Sequence, residues 1–126
     1  MKDERNIDEE GTKAYAEIEV WTQEWVPKFQ KRRNFQKLLE AIAAKGSFLD
    51  SRYPNTPELS YRSWIITSLT VGLEKSWPGG NELIVQEAER EGVKPAPNIV
   101  SGARLFAESC LRQTLNQMAK KRNLDR

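Results

Sequence analysis

From Trp25 to Lys37 the chain reads WVPKFQKRRNFQK, thirteen residues carrying the five cations Lys28, Lys31, Arg32, Arg33 and Lys37. Basic side chains interleaved with rings suit phosphate neutralisation along a single strand, with Phe29 as a surface on which a base can stack for about 1–3 kcal/mol. Three of these cations, Lys28, Lys31 and Arg32, lie on the forward extension of the stripe that later carries Phe35, Leu38 and Ile42. Unpaired cations are too costly to bury. This turn is therefore expected to project beyond the packed body, with Arg33 and Lys37 widening the basic patch. A second group, Lys120, Lys121 and Arg122, closes the chain, and Arg112 shares a helical face with Lys120.

Charge elsewhere is arranged to match. Residues 1–24 carry three positive and eight negative side chains, whereas residues 28–45 carry six positive and one negative. Residues 81–93 are net −3 and residues 94–126 net +5, although the chain as a whole is only +2. Two plainer readings stand beside phosphate binding. Glu17, Glu19 and Glu24 are placed to neutralise the Lys28 to Lys37 cluster across a helical hairpin, and cations in a last helical turn complement its dipole.

Other chemistry is pruned by what the chain lacks. It contains no histidine, which removes every Ser-His-Asp or Cys-His catalytic arrangement and the usual near-neutral base. One cysteine, Cys110, supplies neither an internal disulfide nor a zinc ligand set. No phosphate loop, G-x-G-x-x-G, EF-hand or G-x-S-x-G spacing occurs. Glu87 and Glu91 are spaced for a carboxylate pair, but such pairs are ordinary on an exposed helix. The expectation is a non-catalytic protein with no metal, cofactor or small-molecule substrate. With a charged start and no apolar run of roughly twenty residues, it is expected to be cytoplasmic rather than secreted or membrane-spanning.

The elements that must hold these residues are helical. Ala14, Ile18, Trp21 and Trp25 recur at spacings of four, three and four, so they share one buried face. Pro27 is expected to end or kink that first helix. Phe35, Leu38, Leu39 and Ile42 mark a second helix, expected to reach Lys45 with Gly46 as its left-handed cap and a loop from Gly46 to Thr56. Thr56-Pro57-Glu58 is a start signal for a third helix reaching Ser76. Its apolar residues cover most of its circumference, which marks it as the central helix. The polar strip Ser63, Thr67, Thr70 and Glu74 is its solvent edge or the lining of a polar groove. Trp77-Pro78-Gly79-Gly80 is a stop, after which Asn81 is placed to cap a fourth helix ended by Gly92. Beyond the stiff Val93 to Pro97 connector, Ala103, Phe106, Ala107, Cys110, Leu111, Leu115 and Met118 form the apolar face of a last helix expected over 98–121, with Leu105 on its polar side.

The fold class is accordingly all-α: one compact bundle of about five helices over residues 1–126, with 1–8 frayed and 122–126 a basic tail. Trp21 and Trp25 belong to the core, as does Cys110. Trp64, which turns away from the main stripe with Val71, is either a partner surface or covered by the fourth helix.

A small, all-helical, histidine-free chain with basic tracks resembles, as a class and over most of its length, the small subunits of CRISPR effector ribonucleoproteins. The resemblance implies a non-catalytic antiviral-defence subunit that contacts guide or displaced-strand backbone, DNA or RNA, and stacks against other subunits or copies of itself. Asp8 to Glu10 and Glu87 to Glu91 would then meet a neighbour's basic surface. The phosphate contacts expected are Lys28, Lys31, Arg32, Arg33, Lys37, Arg112, Lys120, Lys121 and Arg122. The alternative is a protein-interaction module, an immunity protein, inhibitor or assembly chaperone, anchored by Trp64, Trp77 and Arg62.

Overall fold

The computed structural model describes residues 2–54, 61–100 and 102–124, with side chains for 9–54, 61–100 and 102–121. Five helices, α1 (Lys2–Arg32), α2 (Phe35–Arg52), α3 (Tyr61–Ser76), α4 (Pro78–Arg90) and α5 (Ala103–Leu124), pack into one bundle, with no strand among the described residues. Helix α1 takes its start at Lys2.

Helix α3 is central. It touches all four other helices and buries Ile65, Ile66, Leu69 and Leu73 completely. Helix α1 runs beside it in the same direction: Thr22 bonds Ser68 through their hydroxyls at 2.8 Å, and further along the Phe29 ring lies 5.9 Å from that of Trp77. Helix α5 runs the opposite way. Arg62 near the start of α3 donates to Asn116 near the end of α5, while Glu74 near the end of α3 faces Arg104 in the first turn of α5.

Pro27 does not end α1. A proline inside a helix costs about 3 kcal/mol, but Val26 and Phe29 on either side are 8% and 2% exposed, and stopping at Pro27 would forfeit their burial. The carbonyl that Pro27 leaves without a donor belongs to Gln23, which is exposed, so it can bond to water. The helix stops instead where Arg33 takes a left-handed conformation at φ 53°.

Nor does Gly46 cap α2. The buried stripe Leu38, Ile42, Leu49 and Tyr53 runs on past it, and a Cβ on Gly46 would lie 3.4 Å from Cβ of Arg62 in α3. Glycine lets α2 lie against Arg62 of α3 here, and the expected loop from Gly46 is helical to Arg52. The proposed start signal at Thr56 lies outside the described residues. Helix α4 begins at Pro78, four residues earlier than expected, with Gly80 buried beneath Trp77. Asn81 is therefore not a cap. It is buried one turn in, and its Nδ2 donates to the Thr70 carbonyl at 3.0 Å. Gly92 does end this segment, at φ 81°. Helix α5 starts at Ala103 rather than Asn98, because the extended connector is pinned to α5 from outside: Ser109 Oγ accepts from the Ala96 amide at 2.9 Å and Gln113 donates to the Lys94 carbonyl at 2.7 Å.

The polar strip on α3 is divided: Thr67 and Glu74 are exposed, as a solvent edge would be, and Thr67 also lines a groove, but the strip is bonded to α5 as well. Thr70 is fully buried, Thr67 donates to Glu108, and Glu108 also receives Arg112 at 2.8 Å and Arg104 at 3.2 Å. The strip fastens α5 to α3. Cys110 is in the core as expected, and burial, with Glu89 adding to it, pushes its thiol from 9.0 up to about 11.

Candidate nucleic-acid interface

The turn joining α1 to α2 carries the first basic cluster. Lys28, Lys31, Arg32, Arg33 and Lys37 are all exposed, and Lys31, Arg32, Arg33 and Lys37 make no ion pair with any described residue. Lys28 is the exception. It bonds Glu24 at 2.8 Å and lies over the Trp25 ring, and its hydrogen bond and charge hold the Glu24 carboxyl below its usual range.

Of the acids expected to neutralise the cluster, Glu24 pairs with Lys28 alone, and Glu17 and Glu19 make no ion pair with it. Glu17 accepts from the Tyr53 hydroxyl at 2.5 Å and faces Arg52 and Lys45 at 3.5 and 3.7 Å. The Tyr53 hydroxyl, and after it Glu17, hold Arg52 more firmly protonated. Glu19 lines a groove between α1 and α3. Glu87 and Glu91 come nearer, lining a concavity of about 330 Å³ with Arg32, Arg33 and Gln36, yet Glu87 pairs with Arg90 at 3.0 Å and neither acid reaches an arginine of the turn within 4.0 Å.

Helix dipoles act oppositely on the two sides of this turn. Lys31 and Arg32 sit in the last turn of α1, where a cation is favoured. The first turn of α2 has no acidic residue, and Arg33 and Lys37 stand there beside a positive helix end. Cations in that position cost about 0.3–1 kcal/mol, a cost that an incoming anion would relieve. Asn34 caps α2, its Oδ1 accepting from the Lys37 amide at 3.0 Å.

The remaining expected residues are dispersed. Phe29 is 2% exposed, so it is a core ring and cannot stack a base; Trp77 covers it. Arg112 is bound to Glu108. Lys120 and Lys121 are exposed, but since α5 runs against α3, they stand at the far end of the bundle from Arg33, which contacts Trp77. The sixteen residues of α3 separate the two basic groups by roughly 24 Å, so they do not form one continuous track. The Arg122 side chain lies outside the described residues. Of the expected partner anchors, Arg62 is occupied by Asn116 and Trp77 is packed between Phe29 and Arg33. Trp64 is half-buried, not under α4, and meets Tyr15 and Tyr61 edge-on.

The groove between α1 and α3 beside Trp64 is lined by Thr67, from the strip read as a possible groove lining, and by Val71, which turns away with Trp64; the part that Tyr15 and Glu19 of α1 play in it was missed. Among the described residues no three histidine, cysteine or acidic side chains gather to hold a metal, and no helix is long and apolar enough to cross a membrane. Compared with protein-family models, curated sequences and solved structures, the chain matches none.

Proposed function

We propose that this chain binds the phosphate backbone of single-stranded nucleic acid, without catalysis, as a small helical subunit of a larger ribonucleoprotein assembly of the CRISPR effector kind. One observation carries the reading: Lys31, Arg32, Arg33 and Lys37 around the α1–α2 turn are exposed and make no ion pair with any described residue, while of the acids expected to cancel the cluster Glu24 reaches only Lys28 and Glu17 is held by Lys45, Arg52 and Tyr53. Contacts of this kind position a strand and do not read its sequence. Lys120 and Lys121, at the other end of the bundle, then serve a second stretch of strand or a neighbouring subunit.

The alternative, a protein-interaction module, draws on a different surface. Val20 on α1 and Phe48 on α2 are 64% and 47% exposed, and Phe48 is flanked by Lys45 and Arg52. Native purification with and without nuclease separates the two. Backbone binding predicts a large particle that absorbs as nucleic acid and loses this chain on nuclease treatment. A particle that survives nuclease intact would favour the protein partner.

A further inference from the structure

Helices α1 and α3 pack tightly at Gly72, where an added Cβ would be 3.0 Å from Thr22 Cγ2 and 3.3 Å from Val26 Cγ2. Along the same seam runs a groove of about 600 Å³. Tyr15, half exposed, and Trp64 form its aromatic wall, their ring centroids 6.5 Å apart and their planes at 69°. An edge-on pair covers a face of only one of its two rings, Tyr61 meets Trp64 edge-on as well, and half-exposed Tyr15 keeps ring surface for the offset or edge-on contact that aromatic groups prefer. The rest of the lining is polar in a particular way. The Gln23 amide offers donors and an acceptor, the Thr67 and Ser68 hydroxyls, already bonded to Glu108 and Thr22, offer acceptor lone pairs, and Glu19 and Lys75 stand at the groove without an ion pair to any described residue. Lys75 is two residues before Trp77, whose ring carries Arg33 at 5.5 Å. The groove therefore leads from a pair of rings, past a lysine, to the basic turn.

We propose that this groove receives one unstacked nucleobase of the strand whose backbone lies on the α1–α2 turn. This rests on the backbone-binding reading above. Tyr15 and Trp64 supply the stacking surfaces that buried Phe29 cannot, Lys75 neutralises a phosphate between groove and turn, and the Glu19 carboxylate accepts from an exocyclic amino group. Cytosine, adenine and guanine, which carry that group, are thereby favoured over uracil and thymine.

The test is anisotropy of a labelled single-stranded oligocytidylate against an abasic strand of equal length, across a salt series, with the full chain. The oligocytidylate should bind roughly 5- to 150-fold more tightly, the equivalent of one stacked base. Tyr15→Ala and Trp64→Leu should each erase that difference and leave the salt slope unchanged. Should Trp64→Leu fail to fold, the abasic comparison and Tyr15→Ala, at an exposed position, still decide. Equal affinity for the two strands with a normal salt slope overturns the base site and leaves backbone binding standing. A base preference whose salt slope ignores replacement of Lys31, Arg32 and Arg33 keeps the groove and removes the turn. Failure of both strands to bind at low salt removes both.

Discussion

The Arg33 guanidinium lies 5.5 Å from the centroid of the Trp77 ring, and Arg33 itself is in the left-handed region at φ 53°. This contact joins the turn that ends α1 to the start of α4. A left-handed residue with a side chain costs about 1–2 kcal/mol, more than the roughly 0.5–1 kcal/mol that an exposed cation–π contact returns. Glycine would fit the backbone better, so arginine at this position is best accounted for by something the folded chain alone does not need.

Arg33→Gly is accordingly expected to leave thermal stability unchanged or raise it by up to about 1 kcal/mol, and to weaken binding to a single-stranded oligonucleotide. Paired melts and titrations check this. A marked loss of stability would mean that Arg33 is structural.

Gly79 and Gly80 should respond differently to alanine. A Cβ on Gly80 would be 2.7 Å from Cε3 of Trp77 and 2.9 Å from Cδ2 of Leu73, whereas on Gly79 it would be 3.4 Å from Nε1 of Trp77. Gly80→Ala should cost about 1–3 kcal/mol by overpacking. Gly79→Ala, exposed on the same helix, should be neutral or gain up to about 1 kcal/mol from helix propensity. Denaturant midpoints of the two variants would separate them.

Leu69→Ala truncates a side chain with no exposed surface at the centre of the bundle, and should cost about 2–5 kcal/mol in chemical denaturation. Glu108→Ala removes the acceptor shared by Thr67, Arg104 and Arg112, at about 1–3 kcal/mol. If Glu108→Ala unfolds no more readily than the parent, the α3–α5 fastening is unimportant.

Much of the architecture was legible because its signals are periodic. Ile18, Trp21 and Trp25, or Leu38 and Ile42, repeat at helical spacing and face the core whatever surrounds them. The failures came from residues whose local preference was overridden by packing. Pro27 and Gly46 read as breaks, yet Val26, Phe29, Leu49 and Tyr53 are buried across them. The basic turn was visible as a run of charge, but its separation from Lys120 depends on the direction of α5, which no local pattern encodes. Phe29 was misread because a ring among cations looks alike whether it faces a base or Trp77.

Cys110 gives a pH signature. Its folded thiol holds the proton to about 11 against 9.0 for the ordinary group, so the unfolded chain ionises first. Its contribution is flat below about pH 9 and is lost as pH climbs toward about 11. Between about pH 8 and pH 10.5 the parent should therefore lose more stability than Cys110→Ala, and a thiol reagent at neutral pH should react with the native protein only on the timescale of unfolding.

The most direct measurement is the slope of log affinity against log salt for a single-stranded oligonucleotide, in the parent and in the chain with Lys31, Arg32 and Arg33 all replaced by alanine. Each phosphate contact contributes about 0.7 to that slope, so the variant should show a slope shallower by roughly 2. An identical slope in the two proteins, or no binding by the parent at low salt, would contradict the account.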